Sequence, residues 1–338
     1  MKTTQYFGSS KDGKIQCRVC PHGCLISDKE RGLCGSFENQ DGVLYAMRYA
    51  KVAAAAVDPI EKKPLFHFFP GSSVFSVAQQ GCNLRCQWCQ NHLLSQATDD
   101  AGEFVTTEEL VRVCETRNHT AIAFTYSEPL IWIDYIRDFA EIMKNKNPAF
   151  SIVIVTNGYI NHQPLHDILP YIDAFNVDIK SMNADVYHRY IGGDIKAVLR
   201  TVKDIATNGT HLEITNLIIP TINDTAQEMT ELVQWIAGEC GSQIPLHLSR
   251  YRPSYLFTEP ATPIETIERA YNISREYLSF VYTGNMPAAT GHENTYCPSC
   301  GALLIEREQY SVHMHHIFNG ICDMCGSTVY GKFFNDTK

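Results

Sequence analysis

The stretch Gly81-Cys82-Asn83-Leu84-Arg85-Cys86-Gln87-Trp88-Cys89-Gln90-Asn91 puts three cysteines in C-x3-C-x2-C spacing within one short turn. It follows Ser73-Val74-Phe75-Ser76-Val77, a run that favours a β-strand. Thiolates are soft ligands, so a compact cysteine cluster selects zinc, copper(I) or iron–sulfur. A closed zinc site needs four ligands, and His92 is the sole further Cys or His within five residues of the cluster. Three thiolates suit a 4Fe-4S cubane whose fourth iron stays open. An open iron is a place for chemistry.

The chain has thirteen cysteines, and two other groups of four account for most of the ten outside this loop. Cys17, Cys20, Cys24 and Cys34 surround Pro21-His22-Gly23 and can close a zinc site or hold a second iron–sulfur cluster; their spacing leaves the metal open. His22 is expected to be a polar loop residue. Near the C-terminus, Cys297 and Cys300, then Cys322 and Cys325, form two C-x2-C knuckles, each followed by Gly, which predicts a zinc ribbon that stabilises folding directly. His313, His315 and His316, on the intervening hairpin, are expected to be solvated or packed, and Cys114 and Cys240 to be ordinary thiols.

Cysteines grouped this way, in a chain whose Met1–Gln16 stretch has no apolar leader core, predict metal sites in a reducing cytoplasm rather than disulfides. A formal net charge of −9 argues against general nucleic-acid binding and anionic membranes. No apolar run approaches the length that spans a bilayer; Val52–Val57 is far too short.

The 338 residues suffice for one large domain with small appendages. From Ser73 onward, strand-like runs at 121–124, 151–155, 174–177, 212–215 and 245–248 alternate with helical patterns, and a further strand is expected at 280–282. Thr106-x-x-Glu109 reads as a capping box, Thr262-Pro263 as a start with Pro at the first helical position, and Asp224-Thr225 as a third start. The fold class is therefore α/β: a partial (β/α)6 TIM-type barrel with an N-terminal Cys-rich segment and a C-terminal zinc ribbon. The expected divisions are 1–50, 51–289 and 290–338. Residues 58–71, rich in proline and aromatics, are expected to wrap the main domain or to wall the cluster. In such barrels chemistry sits where strands end. Those places hold Glu128, Asn157, Asp178, Lys180, Asn216, His247, Arg250 and Arg252.

The motifs together resemble the radical S-adenosylmethionine (SAM) enzymes of the AmmeMemoRadiSam system, relatives of the pyruvate formate-lyase-activating enzymes. The likeness is carried by Cys17-x-x-Cys20-Pro21-His22-x-Cys24, Asp58 to Pro64, the Gly81–Asn91 loop, Tyr126-Ser127-Glu128-Pro129, Asp178-Ile179-Lys180, Ile219-Pro220-x-Ile222-Asn223, His247–Arg250 and the two knuckles. It implies that Cys82, Cys86 and Cys89 ligate a 4Fe-4S cluster and that SAM chelates the fourth iron. It also implies Trp88 against the adenine, Glu128 at the SAM amino group, Lys180 and Asp178 at its carboxylate, and His247 at the ribose or adenine. Asn157 joins them as a cofactor-binding candidate. Tyr126 and Ser127 replace the two glycines of the family's Gly-Gly-Glu-Pro motif, which puts that motif's backbone contacts in question.

The implied activity is reductive cleavage of SAM to a 5′-deoxyadenosyl radical that takes a hydrogen from a substrate, small or held by a partner. The implied partners are an electron donor such as flavodoxin or ferredoxin and Memo-like and AMMECR-type proteins. Two alternatives compete: an activase that installs a glycyl radical on a partner enzyme, and a non-catalytic iron–sulfur and zinc module acting in redox sensing or RNA binding.

Overall fold

Seven parallel strands follow one another across a single sheet in chain order, as the alternating pattern predicts. The structure is a computed structural model that describes residues 1–9, 13–287 and 290–334. The strands are β2 (Ser73–Ala78), β3 (Ala121–Phe124), β4 (Ser151–Thr156), β5 (Ala174–Asp178), β6 (His211–Ile218), β7 (Leu246–Arg250) and β8 (Val281–Gly284). An eighth, β1 (Ala54–Pro59), pairs antiparallel with β2 from Ala54↔Ala78 to Pro59↔Ser73. This edge strand lies in the alanine-rich stretch for which no strand was predicted. Its small side chains carry neither strand alternation nor bulk, and pairing with β2 decides its conformation.

The sheet is buried on both faces, which is why its strands read as nearly continuous apolar runs. One face carries Ile122, Phe124, Ile152, Ile154, Phe175, Val177, Leu212, Ile214, Leu246 and Leu248 into the large core shared with the helices. These include α1 (Thr107–Thr116), α2 (Ile133–Lys146), α3 (His162–Ile168), α4 (Ile195–Asn208), α5 (Ala226–Glu239) and α6 (Ile264–Arg275). The capping box at Thr106 and Glu109 forms in both directions. Thr225 caps α5 by accepting from Glu228 N. Pro263 sits one place earlier than expected, at the N-cap of α6.

The opposite face presents small residues, Ala121, Ala123, Val153 and Ala174, packed against Ile60, Leu65, Phe68 and Val74. Residues 58–71 thus plug the inner face of the sheet. Two backbone amides, of Phe66 and His67, donate to the Glu213 carboxylate at 2.9 and 2.7 Å, and Asn176 Nδ2 donates to Pro64 O at 2.8 Å. Each large apolar side chain withdrawn from water here is worth roughly 1.5–3 kcal/mol.

The N-terminal segment makes two small antiparallel sheets, one of Phe7–Ser9, Ile15–Cys17 and Leu25–Ile26, the other of Lys2–Thr3, Val43–Ala46 and Phe37–Gln40. The C-terminal module is a three-stranded sheet (Thr295–Tyr296, Leu303–Glu308, Ser311–Met314) and a short hairpin of Ile317–Phe318 and Ile321–Cys322. Its core borrows Phe280 and Tyr282 from the end of the main sheet. The expected boundary between 289 and 290 adjoins residues 288 and 289, which lie outside the described residues. No helix among the described residues is long and apolar enough to cross a membrane.

Candidate functional site

The three-cysteine loop leaves the end of β2 and folds back over the sheet. Gly81 adopts φ +98°, and a Cβ there would stand 2.6 Å from the Cys34 carbonyl oxygen, so glycine is required. Beneath the loop, Arg48 is 1% exposed. Its guanidinium donates to Cys34 O and Gln80 O, both at 3.1 Å, to Asp99 O at 2.9 Å, and to the Asp100 carboxylate at 3.1 Å. From the other side Arg85 N donates to Ile191 O at 2.7 Å and Gln87 N to Tyr190 O at 3.1 Å. Those acceptors belong to Tyr187–Ile191, a single π turn that closes on left-handed Gly192. Such turns recur at functional sites because they re-aim side chains.

Cys82 Sγ accepts from Leu84 N at 3.3 Å and from Asn157 Nδ2 at 3.5 Å, while Cys89 Sγ lies 3.1 Å from Ser95 Oγ. Burial pushes the Cys82 thiol well above its ordinary value, and the Glu128 charge adds to the effect. Burial likewise pushes Cys86 up to about 11, against the pull of the Lys180 charge. Buried thiols of this kind ionise at neutral pH only when a metal displaces their protons. The donor set therefore fits an iron–sulfur cluster.

Charges of both signs lie beside it. Lys180 Nζ, at the end of β5, stands 2.9 Å from Asp178 Oδ2. Burial lowers the affinity of this ammonium for its proton, but the Asp178 and Cys86 charges outweigh burial and hold it above the ordinary range. Glu128 is 1% exposed. Its carboxylate accepts from Thr156 Oγ1 at 2.6 Å, Asn157 N at 2.8 Å and Leu130 N at 2.9 Å. Burial nevertheless raises its pKa to about 7. The residue thus caps the helical turn at 129–132 and ties the ends of β3 and β4 together.

A family model described as the radical SAM superfamily matches residues 76–236. The chain is 42% identical over 335 residues to "Uncharacterized protein MJ0808" of Methanocaldococcus jannaschii, a match covering 97% of this chain and 99% of that protein. The chain is a radical SAM enzyme. It is also 25% identical over 163 residues to a pyruvate formate-lyase-activating enzyme of Clostridium pasteurianum, covering 46% of this chain and 66% of that one. Among solved structures, Streptococcus suis SuiB bound to S-adenosylmethionine superposes with a TM-score of 0.49 at 14% identity, covering 66% of this chain and 52% of that one. Membership of this family brings with it a 4Fe-4S cluster and SAM.

The remaining candidates of the radical SAM enzyme divide. Tyr126, where the family has glycine, takes φ +66°, so the backbone keeps the left-handed turn that glycine would give. Its hydroxyl donates to Asp58, which also pairs with buried Lys63 at 2.7 Å. Asn157 Nδ2 reaches Asn83 Oδ1 at 2.9 Å as well as Cys82. Trp88 is buried against Phe257 and Tyr190, with centroids 5.7 and 6.4 Å away. Asn216 Nδ2 donates to Ile179 O at 2.7 Å, and Arg250 Nε to Thr262 O at 2.6 Å.

His247 is held in a buried hydrogen-bonded network. Its Nε2 lies 2.6 Å from Glu213 Oε2, and its ring packs on Phe66 and Tyr282. It faces the plug because residues alternate along β7, and the buried Glu213 claims its nitrogen.

In the C-terminal knuckles the sulfurs of Cys297, Cys300, Cys322 and Cys325 all lie within 4.8 Å of one another, with Cys297–Cys325 at 3.6 Å and Cys300–Cys322 at 3.7 Å. Tetrahedral zinc with bonds of about 2.3 Å sets sulfurs about 3.8 Å apart. Cys17, Cys20, Cys24 and Cys34 instead line one cavity together with Val19, Leu33, Phe37 and Asn83.

Sequence reasoning passed over Arg48 and Asn83. Arg48 stands in no motif, and its role rests on carbonyls and a carboxylate elsewhere in the chain. Asn83 was within reach, since it lies inside the cysteine motif itself.

Proposed function

We propose that Cys82, Cys86 and Cys89 hold three irons of the 4Fe-4S cluster and that SAM closes the fourth. When bound and reduced, the cluster supplies the electron that cleaves SAM to methionine and a 5′-deoxyadenosyl radical. The observation that carries this assignment is the pairing of an open three-cysteine loop with Lys180 and Glu128 at the ends of β5 and β3. SAM carries an ammonium and a carboxylate, and one charge-assisted contact to each fixes its orientation better than neutral contacts do. Lys180, steadied by Asp178, receives the carboxylate; Glu128 and Asn157 face the ammonium; Trp88 backs the adenine. Residue His247 we assign to the Glu213 network rather than to SAM. The chain's own part is to bind, orient and exclude water around a cofactor that carries the chemistry.

We further assign the sheet to a partial (β/α)6 barrel extended by β8, and the C-terminal knuckles to a structural zinc ribbon. The substrate site lies at the mouth, with Arg250 at the end of β7 and Arg252, Tyr255 and Phe257 after it nearest to that mouth. The motif set favours a member of the AmmeMemoRadiSam system. It would act in the cytoplasm on a small molecule or on one held by Memo-like or AMMECR-type partners, and take electrons from flavodoxin or ferredoxin.

The test is anaerobic reconstitution with iron and sulfide, followed by reduction in the presence of SAM. Wild-type protein is expected to release 5′-deoxyadenosine, and the C82A/C86A/C89A variant to release none. Equal release from both would overturn the ligand assignment.

The likeness to the Clostridium pasteurianum activating enzyme favours a second reading, an activase for a glycyl radical enzyme. A glycyl-radical EPR doublet on a co-incubated partner decides for it. The non-catalytic alternative falls with the family assignment.

A further inference from the structure

The four N-terminal cysteines form a site that the radical reaction does not use. All four line a single cavity, whose wall also holds His22, Ile131 and Asn83. Among the described residues, no three of their sulfurs come within 4.8 Å of one another, whereas the four sulfurs of the C-terminal knuckles all do. A single zinc ion draws its thiolates to the shorter spacing. Four sulfurs spaced more widely than that around one cavity suit the corners of a body of several irons, and four thiolates saturate such a cluster, so it has no iron free for a substrate. A saturated cluster carries electrons.

The same wall belongs to the radical site. Asn83 lines the quartet's cavity, and its Oδ1 lies 4.0 Å from Cys82 Sγ. His22, set between Cys20 and Cys24, donates from Nε2 to Asn83 O at 2.7 Å. Arg85, between Cys82 and Cys86, donates to Leu33 O beside Cys34 and to Cys82 O at 2.7 Å. Arg48 clasps Cys34 O and Gln80 O together, and Gly81 must be glycine because Cys34 O approaches so closely.

We propose that Cys17, Cys20, Cys24 and Cys34 bind a second 4Fe-4S cluster that passes electrons to the SAM-binding one across Asn83. It accepts one electron from a low-potential one-electron donor, going from the 2+ to the 1+ state. It gives that electron to the iron held at Cys82 and returns to 2+; no bond forms or breaks and no proton moves. This inference rests on the assignment of Cys82, Cys86 and Cys89 to the radical cluster.

Metal analysis and EPR of the full chain test it. Reconstituted wild type is expected to hold about eight irons and one zinc, and C82A/C86A/C89A about four irons with an EPR signal that SAM does not alter. The C20S/C34S variant is expected to keep about four irons whose signal SAM does alter. Fully reduced wild type should show spin coupling absent from the sum of the two variants' spectra. About four irons and two zincs in wild type would overturn the second cluster. A wild-type spectrum equal to the sum would overturn the electron path. C82A/C86A/C89A protein holding its iron while wild type releases no 5′-deoxyadenosine would leave the second cluster standing and sink the radical assignment instead. Should C20S/C34S fail to fold, the iron content of C82A/C86A/C89A still decides the matter.

Discussion

Glu128 is a carboxylate whose environment sets the pH at which it can meet a cation. Burial raises its pKa from 4.5 to about 7, so it is mostly protonated below neutrality. An ammonium group binds the ionised form. Affinity for SAM is therefore expected to fall about tenfold for each pH unit below about 7 and to level off above it. Titration calorimetry of the reconstituted enzyme between pH 5.5 and 8.5 measures this slope, and Glu128→Gln should flatten it. Stability runs the opposite way: the unfolded carboxyl loses its proton near pH 4.5 and the folded one near 7, so rising pH through that window costs folding free energy. Gly81 makes a steric case. The alanine Cβ in Gly81→Ala would meet the Cys34 carbonyl oxygen at 2.6 Å on a left-handed backbone. A loss of about 1–3 kcal/mol in denaturant unfolding is expected, with fewer irons bound after reconstitution.

At the scale of elements, the plug of residues 58–71 and strand β6 meet at one carboxylate. Glu213 is fully buried and accepts from His211, His247, Phe66 N and His67 N. Burial alone raises a carboxyl group's pKa; the two histidines outweigh it and hold Glu213 well below its ordinary value of 4.5. Its stabilisation is thus present above about pH 4.5 and lost as pH falls further. Glu213→Ala leaves four donors unpaired and is expected to cost about 3–5 kcal/mol in urea unfolding at pH 7, the deficit shrinking under strongly acidic conditions. The same contact shows where sequence reading stops. Prolines in 58–71 announce irregular chain, but the acceptor for Phe66 N lies 147 residues away, and local periodicity carries no record of such pairing. The seven parallel strands were legible because burial on both faces writes apolar runs into them, whereas β1, built on alanines, had no such signature. The grouping of the cysteines was legible from spacing alone. Their neighbours Asn83 and Arg48 act across the fold, and only folding reveals what they touch.

Across the whole molecule, the C-terminal module clasps the plug from the side opposite Glu213. Arg307 Nη2 donates to Phe66 O at 2.7 Å with its guanidinium over the Phe66 ring, His67 Nδ1 donates to Tyr330 O at 2.6 Å, and Lys332 N donates to His67 O at 2.8 Å. Tyr330 then reaches β6, its hydroxyl accepting from Leu212 N at 2.9 Å. The module that carries the C-terminal cysteine knuckles therefore reaches the inner lining of the sheet, far along the chain from the cysteine loop. On the proposed zinc-ribbon assignment, a module this small would draw much of its stability from a metal held by the four thiolates. Removing two of the thiolates through Cys322→Ser with Cys325→Ser should loosen Arg307 and Tyr330 together, and with them the plug. Hydrogen exchange is expected to rise in residues 64–70 and at Leu212, while the irons bound by the cysteine loop stay unchanged in number. Unchanged exchange at 64–70 would mean that Glu213 holds the plug by itself and that the C-terminal module merely rests on it.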